Sequence, residues 1–122
     1  MQPKDAVRLY RWDELELDKV TEMISRKIIS GQRQMIAQVY LKRGALVPVH
    51  AHESEQLTCV LQGALRFLVQ GEEIIVREGE VLCIPAWAEH QSEALEDTFE
   101  LDVFSPIRQD WLAGPEESAP GP

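Results

Sequence analysis

Positive charge is scarce in this sequence. Lysine and arginine number 12 against 21 aspartates and glutamates, a formal net charge of −9. Such a balance argues against nucleic acid or an anionic membrane surface as a partner. An anionic small molecule would have to be held locally, by a metal or an arginine, against the overall field. Long apolar runs are also missing, and no stretch approaches the length of a membrane span. Residues 1–5 lead into no apolar run, so no signal peptide is expected and the cytoplasm is the expected location. Cysteine is limited to Cys59 and Cys83, both inside apolar strand-like runs. They are expected to be buried and reduced, slow to meet thiol reagents, rather than a disulfide or a metal site. Internal repeats are absent, and histidine is scarce, with three in 122 residues.

What is present describes a β-protein. Hydrophobic residues make up 44% of the chain, enough for the core of one domain and too many for global disorder. From residue 23 the pattern becomes period-two or wholly apolar. The strand-like runs are 23–29, 34–41, 46–52, 56–61, 65–69, 73–76, 81–85, 90–94 and 99–104. Breaks at Gly31, Gly44, Gly63, Gly71 and Gly79 supply glycines for tight turns. Many short strands at this spacing indicate an all-β sandwich or barrel. Only residues 107–112 suit a helical turn. Residues 1–20 are expected to form an arm lying on the domain, with Trp12 as a packing anchor. The domain itself is expected over 21–112. The polar, proline-rich residues 113–122 are expected to be a disordered tail.

All the histidines fall in two glycine-bounded segments. The first runs from Gly44 to Gly63 and holds His50 and His52, with Gln56 in the run that follows. Alternate residues of a strand share a face about 6.5–7 Å apart, so two imidazoles can converge on one cation. Gln56 can add an oxygen. The second segment begins at Gly79 and ends at His90. A polar surface position would explain either pair member alone. Agreement of glycine spacing and histidine placement in both segments favours a site. Three neutral imidazoles and one amide oxygen include no anionic ligand, so a divalent ion there keeps its full charge and favours oxygen-rich or anionic ligands. Imidazole suits Zn, Cu, Fe and Ni, and the pattern does not choose among these and Mn. Four ligands leave one or two positions open on a five- or six-coordinate ion, which is the arrangement of a catalytic site. Glu53 and Glu55 are tempting neighbours, but alternation turns Glu55 away from Gln56, and both are expected to be solvated charges.

These two segments resemble the two motifs of the cupin superfamily. Gly44, His50, His52, Gln56 and Gly63 match the first motif, with Gln56 where the motif has glutamate. Gly79, Pro85 and His90 match the second, with Trp87 in place of its glycine and Ala94 in place of its asparagine. The resemblance covers about residues 20–112. It implies a single-domain jelly-roll β-barrel, the double-stranded β-helix, with one divalent transition metal on His50, His52, Gln56 and His90. It also implies a homodimer.

Residues 101–112 form the other informative stretch. Asp102 and Phe104 share one strand face, and an aspartate inside a strand has low β propensity and needs a reason. Arg108 follows a Ser-Pro turn that can fold the chain back across a barrel mouth. This stretch, the His-x-His-x3-Gln form of the first motif, and Arg26-Lys27-Ile28 are similar to the KdgF family of small cupins. Members of that family open the ring of 4,5-unsaturated uronates from pectin or alginate to the linear keto acid. The resemblance implies an anionic sugar acid as substrate and places Asp102, Phe104 and Arg108 in the catalytic pocket. Asp102 would transfer the proton and Arg108 would pair with the uronate carboxylate. Trp87 departs from the family, where a smaller polar residue is more usual; it would narrow the pocket or stack on a sugar. Two other readings stand beside this one: oxygen-dependent cleavage of a small molecule by another metal cupin, and a non-catalytic cupin that binds a sugar or metabolite.

Overall fold

Alternation of inward apolar and outward polar side chains builds ten short strands among residues 7–112, which the computed structural model describes. The tail of residues 113–122 lies outside them, as do residues 1–6 of the arm. The strands are β1 (Asp18–Lys19), β2 (Ile24–Ser30), β3 (Met35–Leu41), β4 (Leu46–His50), β5 (Glu55–Gln62), β6 (Ala64–Val69), β7 (Glu72–Arg77), β8 (Val81–Ile84), β9 (His90–Ala94) and β10 (Thr98–Ser105). A 3-10 turn, Trp12–Glu14, precedes them and one helical turn, α1 (Gln109–Leu112), follows. The strands pair antiparallel in two sheets, in the orders β1-β2-β3-β10-β5-β8 and β4-β9-β6-β7. Their inner faces enclose a core of Ile24, Met35, Val39, Leu65, Ile84 and Phe104 with other apolar side chains. This is the expected all-β jelly roll.

In the described part of the arm, Val7 and Leu9 are exposed and β1 pairs with β2. Trp12 is half-buried and its carbonyl accepts a bond from Lys27 Nζ at 2.8 Å. The cysteines need a correction. Both are free, but Cys59 is only half-buried and Cys83 is exposed. Their runs are apolar on both faces, yet only one face of each antiparallel strand meets the core. On β5 the inward residues are Gln56, Thr58 and Val60, so Cys59 points outward; Leu57 and Leu61 beside it are exposed as well.

Gly63 is the single residue between β5 in one sheet and β6 in the other. Its φ is +95°, and a Cβ there would lie 2.5 Å from the Asp97 carbonyl oxygen and 2.5 Å from Thr98 Oγ1. Gly71 has φ +86° but open space around it. Gly63→Ala should therefore destabilise the fold well beyond the roughly 1–2 kcal/mol of a left-handed alanine. Gly71→Ala should cost about that amount alone. Urea unfolding of both variants checks this, and equal losses would show that crowding at Gly63 is not the cause.

Candidate metal centre and the cavity beside it

The histidines meet where β4 and β9 pair. His50 ends β4 and His90 begins β9, and the two are direct partners across the ladder. Their ring centroids are 4.3 Å apart. His52 was expected on the same strand as His50, but β4 stops at His50 and His52 stands in the following loop. That loop is pinned: Trp87 N–H donates to the His52 carbonyl at 2.8 Å, and Ser54 Oγ donates to the Pro106 carbonyl. His52 lies 5.4 Å from His50 and 5.0 Å from His90, centroid to centroid, so the three rings still converge. One ring nitrogen from each lies within 4.8 Å of the others.

Hydrogen bonds decide which nitrogen faces inward. Each Nδ1 meets a backbone carbonyl: His50 with Pro48 at 2.9 Å, His52 with Ser54 at 2.9 Å, His90 with Ala88 at 2.8 Å. A carbonyl only accepts, so each Nδ1 carries the proton and each Nε2 keeps a lone pair. Burial lowers all three imidazole pKa values, that of His50 to about 4, so the rings are neutral at neutral pH. The buried His90 Nε2 has no hydrogen-bond partner. His52 Nε2 lies 3.1 Å from Gln56 Oε1. With both atoms holding lone pairs, that contact lacks a proton. A cation satisfies such a set of acceptors, and the residues present fit a divalent transition metal.

Asp102 and Phe104 do share the inward face of β10, and Glu100 joins them there. Glu100 was missed in the sequence reading, although its place two residues before Asp102 was the signal. A register shift between Phe99 and Glu100 in the ladder with β5 lies directly beside it. Burial raises the Asp102 carboxyl to about 6, against bonds from Thr58 and Glu100 that favour its ionised form. Burial, and then the neighbouring Asp102, hold Glu100 protonated well above its usual range. The pair thus shares a proton that Glu100 keeps.

The segment after β10 covers this end of the barrel. Arg108 is buried, and its Nε and Nη2 donate to Asp110 at 3.3 and 2.6 Å. Trp111 of α1 packs edge-on against Phe104 at 4.9 Å, and Phe104 packs in turn against His52 at 5.8 Å. Arg26 and Arg108 lie over the Trp111 ring at 4.1 and 4.8 Å. The cavity here is about 20 Å³ and is lined by His50, Gln56, His90, Asp102, Phe104 and Arg108, among others. That is room for one water or ion. Two larger grooves, of about 350 and 290 Å³, have no histidine among their lining residues. Glu53 and Glu55 are exposed, as expected. Trp87 is also exposed and does not line the cavity. Its φ of 64° keeps the left-handed backbone that the motif glycine would adopt.

The cupin domain family model matches residues 37–105. This chain belongs to the cupin family. The solved structure of KdgF from Halomonas sp. superposes with a TM-score of 0.81 at 31% identity, covering 87% of this chain and 99% of that one. An RmlC-like cupin from Shewanella frigidimarina gives a TM-score of 0.81 at 21% identity, with 87% and 96% covered. A predicted oxalate decarboxylase from Thermotoga maritima gives 0.71 at 17%, with 82% and 100% covered. The last two likenesses support the cupin fold alone. No curated protein matches the sequence.

The buried carboxyls of this cupin give a pH signature. An ordinary aspartate titrates near 3.8, whereas native Asp102 titrates at about 6. Between those values the native state holds a proton that the unfolded chain has lost, so rising pH costs the native state stability. The penalty is complete above the native value. Asp102→Asn has no such penalty. In metal-free protein, this variant should gain stability relative to the parent from pH 4 to pH 7, by up to about 3 kcal/mol. Denaturant unfolding across that range measures the gap, and a constant gap would show that Asp102 is not held protonated.

Proposed function

We propose that this cupin is a metal-dependent enzyme of the KdgF kind, which converts 4,5-unsaturated uronates to linear keto sugar acids. The observation that carries this reading is a cluster of three histidines at a cavity that two of them, His50 and His90, line together with a buried carboxyl pair and a buried arginine. The likeness to KdgF from Halomonas sp. supports it.

On this reading His50, His52, Gln56 and His90 hold one divalent transition ion. When bound, the ion supplies Lewis acidity toward a substrate oxygen. Ring opening moves the proton of the anomeric hydroxyl to the ring oxygen and breaks the bond from that oxygen to C1. The products are an aldehyde and an enol at C5. Tautomerisation then moves the enol proton to C4 and leaves a ketone, so the reaction is an isomerisation with no co-reactant. Asp102 takes up and returns these protons; a value of about 6 suits such an exchange near neutral pH. Arg108 keeps one edge of its guanidinium on Asp110 and presents the other to the uronate carboxylate. Phe104 supports His52 and the floor of the pocket. The present space of about 20 Å³ is too small for a sugar ring, so on this reading lining side chains such as Arg108 and Trp111 shift as substrate enters. A homodimer through the outer face of the six-stranded sheet belongs to the same reading, since Leu57, Leu61 and Val81 are exposed on the adjacent strands β5 and β8. Light scattering tests it.

Purified protein should carry about one divalent transition metal per chain, and His50→Ala and His90→Ala should lose it on elemental analysis. Full metal retention by both would sink the ligand assignment. Loss of the ultraviolet double-bond absorbance of an unsaturated uronate reports turnover. Asp102→Asn should keep its metal and lose roughly 10²–10⁴-fold in kcat. Arg108→Ala should mainly raise KM. If the asparagine variant turns over as fast as the parent, Asp102 is not the proton carrier. Binding of a sugar acid by the parent without turnover would replace the enzyme by a sugar-binding cupin.

A further inference from the structure

One hydrogen-bonded row runs behind the histidines from β5 to β10. Gln56 and Thr58 point inward from β5, and Thr58 is the direct ladder partner of Asp102 on β10. Gln56 Nε2 donates to Thr58 Oγ1 at 2.9 Å, and Thr58 Oγ1 donates to Asp102 Oδ1 at 2.7 Å. Asp102 is bonded in turn to Glu100. Thr58 has a relative exposure of 0%, so its hydroxyl depends on these neighbours.

A hydroxyl has one proton to give. Thr58 gives it to Asp102, and toward Gln56 it therefore offers only a lone pair. Gln56 has to present its amide NH2 to Thr58. That leaves Gln56 Oε1 facing the histidines, 3.1 Å from His52 Nε2. Oxygen is the amide atom that a divalent ion takes. We propose, on the reading that Gln56 is a ligand, that Thr58 is a positioning residue: it locks the Gln56 amide in its metal-binding orientation and ties the metal centre to Asp102.

The same row explains why glutamine stands where the family motif has glutamate. A carboxylate at position 56 would only accept. It would compete with Asp102 for the single Thr58 proton, and an Asp102 that lost it would keep only the bond from Glu100. A motif glutamate would thus weaken the hold on Asp102, whereas glutamine leaves the Thr58 proton to it.

The test is zinc affinity, measured on metal-free protein by competition with a chelating dye. Thr58→Val keeps the side-chain shape without the hydroxyl; Thr58→Ser keeps the hydroxyl. The valine variant should bind zinc roughly 10–100-fold more weakly, the usual weight of a group that orients a ligand. The serine variant should stay close to the parent. A valine variant that binds as tightly as the parent overturns the proposal. So does a serine variant as weak as the valine one, because the hydroxyl would then be irrelevant. If the valine variant does not fold, Asp102→Ala serves instead. It removes the acceptor and should weaken zinc binding although Asp102 is not a ligand; unchanged affinity overturns the proposal. A parent that binds no zinc would sink the metal-centre reading itself, which is a separate outcome from a variant that matches a zinc-binding parent. Neither result depends on uronate turnover.

Discussion

Pairing of β10 along both its edges, to β3 on one side and β5 on the other, holds the remaining structure in place. A strand paired on both edges cannot rotate its side chains out of the barrel without breaking two ladders. Glu100 and Asp102 are therefore kept inside whatever their solvation cost. Two carboxylates cannot both ionise at that separation in a poorly solvated interior, so one keeps a proton and the other takes bonds from Thr58 and Glu100. Phe104, next on the same face, closes the core and gives His52 and Trp111 a surface to pack on. The chemistry of this end of the barrel follows from the depth at which one strand is buried.

The cover over the cavity is held differently. No backbone ladder involves α1; Trp111 instead packs among side chains. Two guanidinium groups lie over the indole, Arg26 from β2 and Arg108 from the turn before it. Both cations sit within the range of attraction to an aromatic face, which is stronger when water is excluded. Arg26 Nε and Nη1 have no hydrogen-bond partner there; the ring contact and the nearby charges of Asp18 and Asp110 favour the guanidinium. Such a joint is oriented by stacking and can open without breaking a ladder.

Much of this site was legible because a cation needs several donors and the chain has few histidines to place. His50, His52 and His90 stood at recognisable offsets from glycines, and Gln56 followed at a fixed step. The face shared by Asp102 and Phe104 followed from simple alternation. Other features depended on contacts across the fold. Thr58 in an apolar run reads as an ordinary strand former, and only its pairing with Asp102, far along the chain, gives its hydroxyl a task. Glu100 was hidden by its charge, since a glutamate in a strand is normally turned to solvent. Cys83 was misjudged because apolar composition does not say which face of a strand is covered. His52 reached the site from a loop because the Trp87 and Ser54 bonds shape that loop, and neither bond is visible in local spacing.

Phe104 belongs to the apolar core and to the cavity wall at once. This couples two histories that many proteins keep apart. A change at Phe104, or at the carboxyls beside it, is judged by selection for folding before any effect on ligand preference counts. In the segment from Pro106 to Leu112, Trp111 is under the same double constraint, whereas Arg108 lines the cavity without belonging to the apolar core. A change of ligand preference at Arg108 would leave β10 and the apolar core as they are. A barrel built this way can alter what it recognises at a turn beyond β10 without repacking its strands.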